Sequence, residues 1–342
     1  MKKLGLLGKF LFFINSIAAL LLLLAYVLPF IPPNSFPYIS LLSLGMPVLI
    51  AVNLLFCLYW LLRMRRQFLL SLIILLIGFN HLSALYKFKS EERISSEESL
   101  KMMSYNVRQF NRYDWMEDKD IPQKIKDFIL KESADVVCIQ EYASGEIDFS
   151  AFPHTYKKII AKGMGQAILS KYPIINKGSL DFKNTGNNVI YADIVVKEDT
   201  LRVFNMHLQS HKIDQDLRNL DKEKGKELTK KMGGSFKIQQ DQAEMFLTAL
   251  AESPYPNIVA GDMNNTAFSY AYRKLTANLN DAFKEKGKGL GYTFMMDDFL
   301  PLRIDYFLVD PKYKIVDFTT YREKLSDHYP IAVQIEGLDI EN

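Results

Sequence analysis

The segment Ile258-Val259-Ala260-Gly261-Asp262-Met263-Asn264-Asn265 has the pattern of a buried β-strand that stops at a tight turn. Three apolar residues, two of them β-branched, lead into Gly-Asp-x-Asn. Because a strand end is rigid, it can hold the Asp262 carboxylate and the Asn264 amide in fixed positions. The alternative is that both side chains only make Asx-type hydrogen bonds in a surface turn. Similar residues elsewhere in the chain bear on that choice.

Polar side chains also come at or just past the ends of other predicted strands. Each of them taken alone has a structural explanation, such as a turn, a cap or a core histidine. Together they offer oxygen ligands and histidines without cysteine, which suits a hard divalent cation such as Mg²⁺ beside groups that handle protons and phosphate oxygens. The residues are Asn106, Glu141, His207, Asp262, Asn264, Asp305, Asp327 and His328.

Short apolar strands alternate with amphipathic helices through the C-terminal two thirds of the chain. Asp120 is expected to cap a helix with apolar residues at 121, 125, 128 and 129, a second helix ends near Ser253, and Ser269 caps a third that runs through Leu279. This inventory predicts an α/β domain of two packed mixed sheets with outer helices. The predicted strands are 101–107, 135–140, 156–161, 166–170, 189–196, 201–208, 257–260, 304–309, 313–321 and 331–335.

Composition separates this domain from the N-terminal quarter. The 342 residues are 49% hydrophobic, and the apolar residues are crowded into the first quarter of the chain. A net charge of +3 gives little reason to expect a nucleic-acid binder from bulk electrostatics. Cys57 and Cys138 are far apart and have no ligand-like neighbours, so neither a disulfide framework nor a zinc site is indicated.

Three apolar runs, Phe10–Ile31, Ile39–Leu62 and Phe68–Tyr86, are each close to the ~20 residues that span a bilayer. They predict a membrane domain at 1–88 with three transmembrane helices, a charged linker at 89–100 and a folded domain at 101–338. The alternative for the first run is a cleaved signal peptide. Two further spans follow it, however, and the residues after it do not form a small-x-small cleavage site.

Basic residues predict the orientation of these spans. Lysines precede the first span and arginines fill the second turnaround, whereas the first turnaround is uncharged. Both basic sites should be cytoplasmic. Three crossings then place the folded domain on the extracytoplasmic (periplasmic) side of the inner or plasma membrane. The residues are Lys2, Lys3, Lys9, Arg63, Arg65 and Arg66.

The ordered motifs of residues 101–336 resemble the endonuclease/exonuclease/phosphatase superfamily. They run Asn106, Gln140-Glu141, Asn205-x-His207, Gly261-Asp262-x-Asn264, Ile304-Asp305-Tyr306 and Ser326-Asp327-His328. Gly165-Gln166-Ala167-Ile168-Leu169-Ser170-Lys171-Tyr172-Pro173-Ile174 also looks like a strand of that family. The resemblance implies a DNase I-like four-layer sandwich of two mixed β-sheets flanked by helices, here preceded by the three predicted transmembrane helices. It also implies a metal-dependent hydrolase acting on phosphoester bonds.

The resemblance assigns three residues to a metal. Glu141 matches the metal-binding glutamate, a ligand type that suits a Mg²⁺ ion that retains several waters. Asn106 would help to hold the metal shell or a phosphate oxygen, and Asp327 would lie at the edge of the metal site. The implied cofactor is Mg²⁺, with Mn²⁺ as a substitute.

The resemblance gives the other five residues catalytic roles. Asp262 matches the residue that orients and deprotonates the attacking water, and Asn264 would fix that carboxylate and the phosphoryl group. His328 would donate to a phosphate oxygen, while Asp305 pairs with that histidine and favours its charged form. His207 matches a second phosphate-contacting histidine. The implied reaction is in-line attack of water on phosphorus.

Two features depart from the family pattern. Where many relatives carry Asp-Thr-Pro after Gly-Asp-x-Asn, this chain has Asn265-Thr266-Ala267, which predicts a less rigid turn. A long charged segment at 209–242 is inserted after the His207 strand. It fits either a solvated loop or a lid or headgroup-contacting arm over the site. Arg303, Tyr292 and Phe294 lie in the region where relatives choose substrates.

The expected substrate is a phosphoester on a lipid headgroup, a nucleotide or a nucleic acid. Anchoring to a lipid bilayer favours a lipid or lipid-linked phosphodiester or phosphomonoester. DNA as the substrate would need a basic face that follows the duplex, and the folded domain offers no evident one. The alternatives are a nuclease of the same fold and a non-catalytic binding or scaffold module. No protein partner can be predicted from the sequence.

Overall fold

The computed structural model describes residues 4–88, 99–143, 145, 147–161, 163–211, 222–296 and 300–338. The helices are α1 Leu6–Ala25, α2 Leu42–Leu62, α3 Phe68–Ile77, α4 Phe79–Leu82, α5 Ile121–Lys131, α6 Lys222–Ala251, α7 Tyr270–Leu275 and α8 Ala282–Lys286. Short 3-10 turns cover Leu28–Phe30, Ile39–Leu41 and Arg108–Asn111. The predicted linker at 89–100 lies largely outside the described residues.

The strands follow the predicted inventory closely and add several short ones. Each of the ten predicted strands overlaps an observed one, while the predictions missed the edge strand β6 and the shortest strands. The strands are β1 Tyr86–Lys87, β2 Leu100–Asn106, β3 Val136–Ala143, β4 His154–Ala161, β5 Met164–Ser170, β6 Ile174–Ser179, β7 Asn188–Val196, β8 Asp199–His207, β9 Asn257–Asp262, β10 Asn280–Asp281, β11 Gly289–Leu290, β12 Phe294–Met296, β13 Leu300–Leu302, β14 Asp305–Val309, β15 Lys314–Thr320 and β16 Ile331–Glu336.

Two mixed six-stranded sheets form the centre of the α/β domain. The first has the order β15-β16-β2-β3-β5-β4 and the second the order β10-β14-β9-β8-β7-β6. Each sheet contains one parallel pair, β2 with β3 and β8 with β9, and the other pairs are antiparallel. The predicted α/β class with two mixed sheets is confirmed.

Apolar side chains between the sheets make the central core. Met102 and Cys138 from the first sheet share one buried cluster with Ile194, Val203 and Ile258 from the second. Strand side chains alternate between the two faces of a sheet, so the apolar side chains on the outer face of each sheet must be buried by other elements. Helix α5 covers the first sheet, and α6 and α7 cover the second. The result is the four-layer arrangement that the sequence predicted.

The helix predictions hold in position and differ in detail. The apolar residues of α5 are buried at the predicted spacing, but the Asp120 side chain makes no capping hydrogen bond. Ser269 does cap α7, since its side chain accepts a hydrogen bond from the Tyr272 backbone N–H. That helix ends at Leu275 rather than continuing through Leu279. The charged segment predicted as a loop is helical from 222 onward, while 212–221 lie outside the described residues.

The prediction of three transmembrane helices is wrong. In the described residues two N-terminal helical stretches, Leu6–Phe30 and Ile39–Leu62, are long and apolar enough to cross a membrane. The third apolar run breaks at Gly78 into α3, of ten residues, and the short α4. A Cβ at Gly78 would overlap the Tyr26 ring, which packs at the break and stacks on His81 with ring centroids 5.0 Å apart. Hydropathy alone does not report this interruption.

Polar residues inside the N-terminal helices bond to one another. Asn15 Nδ2 donates to Ser71 Oγ (2.7 Å), Ser71 Oγ donates to Asn53 Oδ1 (3.2 Å), and Trp60 Nε1 donates to Asn15 Oδ1 (3.0 Å). All four side chains are buried. This network joins α1, α2 and α3, because polar groups in an apolar bundle need partners within it.

The N-terminal helices pack against the α/β domain through one end of the bundle. Asn34, in the turnaround between α1 and α2, donates from its backbone to Gln240 Oε1 on α6 (2.9 Å). Arg303 donates to the backbone carbonyl of Ala84 (3.1 Å), next to its buried ion pair with Asp281 (2.8 Å). One apolar cluster continues from the helices into the outer layer of the second sheet.

Candidate active site

The two parallel strand pairs end at the same edge of the domain. In the first sheet β2 ends at Asn106, and β3 passes through Glu141 beside it. In the second sheet the register pairs His207 of β8 with Asp262 of β9, and Asp262 with Asp305 of β14. Strand order and register therefore bring five residues that are far apart in sequence to one place.

Asp262 lies at the centre of the site and is almost completely buried. Asn106 Nδ2 donates to its Oδ2 (3.1 Å), and the Asn264 backbone N–H donates to its Oδ1 (2.7 Å). Burial raises the pKa of Asp262, Asp305 adds to this effect, and His328 opposes it. The preceding Gly261 has φ +133°, and a Cβ there would meet the Met206 carbonyl oxygen. Only glycine allows β8 and β9 to approach this closely.

Glu141 and His207 form the side of the site between the sheets. Glu141 occupies an irregularity in the β3–β5 pairing and has φ +50°, an uncommon conformation that directs its side chain away from the regular strand positions. His207 Nε2 lies 4.0 Å from Glu141 Oε1 and 3.7 Å from Asp262 Oδ2. Burial, with His328 adding to it, lowers the pKa of His207 to about 3, so the imidazole is neutral.

His328 and Asp305 form a buried pair opposite His207. The Nδ1 of His328 is 2.9 Å from Asp305 Oδ2, and its Nε2 is 3.8 Å from Asp262 Oδ2. Burial alone would lower the pKa of His328, but the two facing carboxylates raise it well above its ordinary value. Thr293 Oγ1 accepts from the Asp305 backbone N–H (3.1 Å), which holds the start of β14. The charged imidazolium thus points its Nε2 at the centre of the site.

Asp327 lies at the rim rather than at the centre. Its Oδ2 is 3.2 Å from Arg108 Nε, and its Oδ1 accepts from Ser326 Oγ (3.1 Å). Ser326 Oγ is also 2.9 Å from the Asn106 carbonyl oxygen, so the loop before β16 is tied to the end of β2. Arg108 stacks over Trp115, with 4.5 Å from its guanidinium carbon to the ring centroid.

The turn after Asp262 has restraints that take the place of the proline found in relatives. Asn264 has φ +51°, and its Nδ2 donates to the Leu208 carbonyl (2.9 Å). Asn265 Nδ2 donates to Gln239 Oε1 on α6 (2.7 Å). Thr266 Oγ1 donates to the Ser43 carbonyl in the first turn of α2 (2.8 Å). The turn is therefore bonded to the N-terminal helices and to α6.

These residues surround a cavity of about 440 Å³. All the predicted site residues except Asn106 and Asp305 line this cavity. Asn106 bonds to Asp262 and Asp305 bonds to His328, so both lie behind the cavity wall. The sequence-based prediction did not include Arg108, His211, Lys231 or Leu44. The lining residues are Leu44, Arg108, Gln109, Trp115, Glu141, Met164, Asn187, His207, Ser210, His211, Lys231, Asp262, Asn264, Phe294, Leu302, Ile304, Asp327 and His328.

His211 is the least expected of the lining residues. It is 94% buried, stacks on Phe236 with centroids 4.4 Å apart, and neither ring nitrogen makes a hydrogen bond of ordinary geometry with the described residues. Burial lowers its pKa to about 4, against a smaller effect of the Asn264 backbone. In the sequence, the only indication that His211 could reach the site was its position four residues after His207. Arg303, by contrast, is buried against Asp281 and lies away from the cavity.

The donor set suits a divalent cation. Although 24% of the Glu141 side chain is exposed, loss of hydration and the nearby Asp327 carboxylate raise its pKa. Burial raises the pKa values of Glu141 and Asp262, and a bound hard cation would stabilise their charged forms. Asp262, Asp305 and His328 offer ligand atoms within 4.8 Å of one another. Glu141 and Asp327, which the sequence analysis assigned to the metal, line the same cavity.

The comparisons with known proteins agree with this geometry. Residues 103–328 match the model of the Endonuclease/Exonuclease/phosphatase family, and residues 8–85 match a family described as Domain of unknown function (DUF8431). A comparison with curated protein sequences finds no match.

Solved structures share the fold of the α/β domain at low sequence identity. An endonuclease/exonuclease/phosphatase from Bacteroides vulgatus is 19% identical, with a TM-score of 0.54 over 70% of this chain and 99% of that chain. D. rerio TDP2 complexed with single strand DNA product is 17% identical, with a TM-score of 0.54 over 70% and 100%. The human Nocturnin catalytic domain with bound sulfate anion is 15% identical, with a TM-score of 0.51 over 70% and 94%.

The family match spans nearly the whole α/β domain, and the fold and the strand-end residues agree with it. The enzymes of this family generally depend on a divalent metal ion. The chain belongs to the Endonuclease/Exonuclease/phosphatase family and is a metal-dependent hydrolase of phosphoester bonds.

Proposed function

We propose that this chain is a membrane-anchored, Mg²⁺-dependent phosphoesterase that hydrolyses a lipid or lipid-linked phosphoester by in-line attack of water. We further propose that its active site faces the extracytoplasmic side of the inner or plasma membrane. The proposal combines the apolar N-terminal helices with the position of the cavity and the chemistry of its lining.

Membrane anchoring is supported by the surface of the N-terminal helices. Many large apolar side chains of α1 and α2 point outward, including Phe10, Phe13, Leu54 and Leu55, which are each about 60% exposed. Exposed apolar bands of this length are stable in lipid and costly in water. The α/β domain contacts the turnaround between α1 and α2. The basic residues around Arg65 lie at the other end of the bundle, between the last residue of α2 and the first residue of α3. A cytoplasmic basic end would put the turnaround and the α/β domain outside, with the short α3 and α4 together making the return passage.

The observation that carries the lipid proposal is the position of Leu44. This residue lies in the first turn of α2, and it lines the same cavity as Glu141, Asp262 and His328. Leu44 also packs on Met232 and Phe236 of α6. A phosphoester at a lipid headgroup can reach the catalytic residues from this wall while its acyl part stays beside α2.

Different side chains of the site would perform different steps of the hydrolysis. The Asp262 carboxylate, oriented by hydrogen bonds from Asn106 and Asn264, would accept a proton from the attacking water. Protonated His328 would donate from Nε2 to a phosphate oxygen as negative charge accumulates, while Asp305 keeps the imidazolium charged and oriented. Neutral His207 would contact a second phosphate oxygen.

Glu141, with Asn106 and Asp327 nearby, would hold the divalent ion. When bound, Mg²⁺ supplies positive charge that polarises the phosphoester and stabilises the transition state. Carboxylate and amide oxygens without thiolates favour Mg²⁺, with Mn²⁺ as a substitute.

A nuclease of the same fold is the second candidate. Arg108 stacked over Trp115 at the cavity rim resembles the charged and aromatic surfaces on which single-stranded nucleic acids stack. The structural similarity to a D. rerio TDP2 complex with single strand DNA product favours the same candidate. A non-catalytic scaffold has no comparable support, because its cavity would not need the buried His328–Asp305 pair.

The test uses the full chain purified in neutral detergent, assayed with phospholipids, a generic aryl phosphodiester and single-stranded DNA. Hydrolysis should require Mg²⁺ and stop with EDTA. Asp262→Ala and His328→Ala should each lower kcat by ~10²-fold or more without unfolding the chain. The exposed Asp127→Ala and the remote His154→Ala serve as matched controls. Unchanged rates in the site variants would refute the assignment, and preference for DNA over every lipid would favour the nuclease.

A further inference from the structure

The first half of α6 is strongly basic. Residues 222–237, called the basic arm below, contain six lysines and two glutamates, a net charge of +4. Lys226, Lys230 and Lys237 are exposed, and their i, i+4, i+11 spacing places them on one face of the helix. The whole chain has a net charge of +3, so the residues outside the arm together carry a net charge of −1 (+3 minus +4).

The opposite side of the basic arm is fixed to the start of α2. Met232 and Phe236 share a buried cluster with Leu44, and the partly buried Leu228 packs against it. Further along α6, Gln240 accepts a hydrogen bond from the Asn34 backbone (2.9 Å) in the turnaround. The arm therefore lies at the level where the proposed membrane helices end.

Aromatic side chains accompany the lysines at this level. Phe36 and Tyr38 of the turnaround are 56% and 58% exposed. A Cβ at Gly233 of the arm would lie 3.1 Å from the Tyr38 ring, so helix and turnaround are in direct contact. Aromatic and basic residues side by side at the end of apolar helices are typical of the headgroup region of a bilayer.

We propose that the basic arm is a binding surface for anionic phospholipid headgroups, with Lys226, Lys230 and Lys237 as its contacts. Each lysine near an anionic membrane surface gains favourable electrostatic free energy, and this attraction weakens as salt increases. The arm also carries Lys231, which lines the catalytic cavity. Anionic headgroups would thus be held directly beside the active site. This inference rests on the proposed membrane placement of α1 and α2, and not on the identity of the substrate.

The test titrates phosphatidylglycerol, or phosphatidylcholine with the same acyl chains, into the full chain in neutral detergent, with bound lipid counted by native mass spectrometry. The wild type should bind phosphatidylglycerol more tightly than phosphatidylcholine. Lys226→Gln/Lys230→Gln/Lys237→Gln should weaken phosphatidylglycerol binding by about tenfold or more and leave phosphatidylcholine binding unchanged. A charge-reversed Lys226→Glu/Lys230→Glu variant should weaken it at least as strongly.

The control variant Lys119→Gln/Lys197→Gln/Lys314→Gln removes the same charge from parts of the α/β domain away from the turnaround, and it should bind both lipids like the wild type. Equal losses in the two triple variants, or no headgroup preference in the wild type, would overturn the inference. Alkaline washing of membranes containing the chain separates the two proposals. Release of the chain would refute the membrane placement and the inference together, whereas retention with an unaffected arm variant would refute the inference alone.

Discussion

Asp305 and His328 show how one contact sets the chemistry of the site. The Asp305 carboxylate lies 2.9 Å from His328 Nδ1 in a buried setting, and it raises the histidine pKa against the effect of burial. His207, equally buried but without a comparably close carboxylate, has its pKa lowered to about 3. At neutral pH, His328 is therefore positively charged and His207 is neutral. One can donate a charge-assisted hydrogen bond, and the other remains a neutral contact.

Asp305→Asn should shift the alkaline limb of the pH–rate profile to lower pH. The amide keeps an oxygen to accept the hydrogen bond from Nδ1, but the charge that raises the pKa of His328 is lost. Activity needs protonated His328 and is lost as pH rises through its pKa, so a lower pKa moves that loss down by about one unit or more. Profiles of kcat/KM for the wild type and variant measure the shift. An Asp310→Asn control, at a partly buried aspartate outside the cavity lining, should leave it in place, and an identical limb in Asp305→Asn would contradict the role given to Asp305.

Four of the candidate site residues could be proposed from the sequence because each lies at or near the end of an apolar run that forms a strand. Asn106, Glu141, His207 and Asp262 come from strands whose ends the sheet order then brings together. His211 could not be predicted in the same way. Its place in the cavity depends on Phe236 and α6, which lie further along the chain.

Among the elements, α6 connects the other parts of the molecule. Gln239 donates to the carbonyls of Gln209 (2.7 Å) and Asn264 (3.1 Å), and it accepts from Asn265 Nδ2 (2.7 Å). The end of this helix was predicted, but its first half was not, because the mixed charges in 209–242 favoured a solvated loop. The four-residue spacing of Leu228, Met232 and Phe236 was the signal for a helix, since it gives an apolar stripe that needs a partner.

Gln239→Ala should lower kcat about tenfold with little change in KM, because the turn beside Asp262 loses its hydrogen bonds through Asn264 and Asn265 while the cavity keeps its shape. The free energy of unfolding should fall by about 1–3 kcal/mol, since buried partners are left unsatisfied. Steady-state kinetics and thermal unfolding of the full chain provide both values. The neighbouring exposed Ile238→Ala should change neither. A loss of stability with unchanged kcat would show that the helix supports the fold without positioning the turn.

At the level of the whole molecule, local sequence patterns did not predict the contact between the apolar helices and the α/β domain. Hydropathy identified three apolar runs, and the break at Gly78 depends on Tyr26, which no local pattern reports. Similarly, Asn15, Asn53 and Ser71 were visible as isolated polar residues, and only packing shows that they bond to one another. Long-range contacts decide these features, whereas local periodicity decides the strands.

Orientation can be tested on the intact chain. A reporter active only outside the cytoplasm, fused after Asn342, should be active, because the basic residues near Arg65 keep their end of the bundle inside. A reporter active only in the cytoplasm, fused at the same position, should stay inactive. Activity of the cytoplasmic reporter would place the α/β domain on the other side.

In the proposed membrane placement, the interruption at Gly78 would also set how deep the α/β domain lies. Residues 68–82 rise about 22 Å at ~1.5 Å per residue, whereas the hydrocarbon layer is ~30 Å thick. Such a short return passage would draw the domain down into the interfacial layer, with Leu44 in the cavity wall on that side. Turnover should therefore follow the mole fraction of substrate in the surface rather than its bulk concentration, since the enzyme would work on lipids that never leave their leaflet.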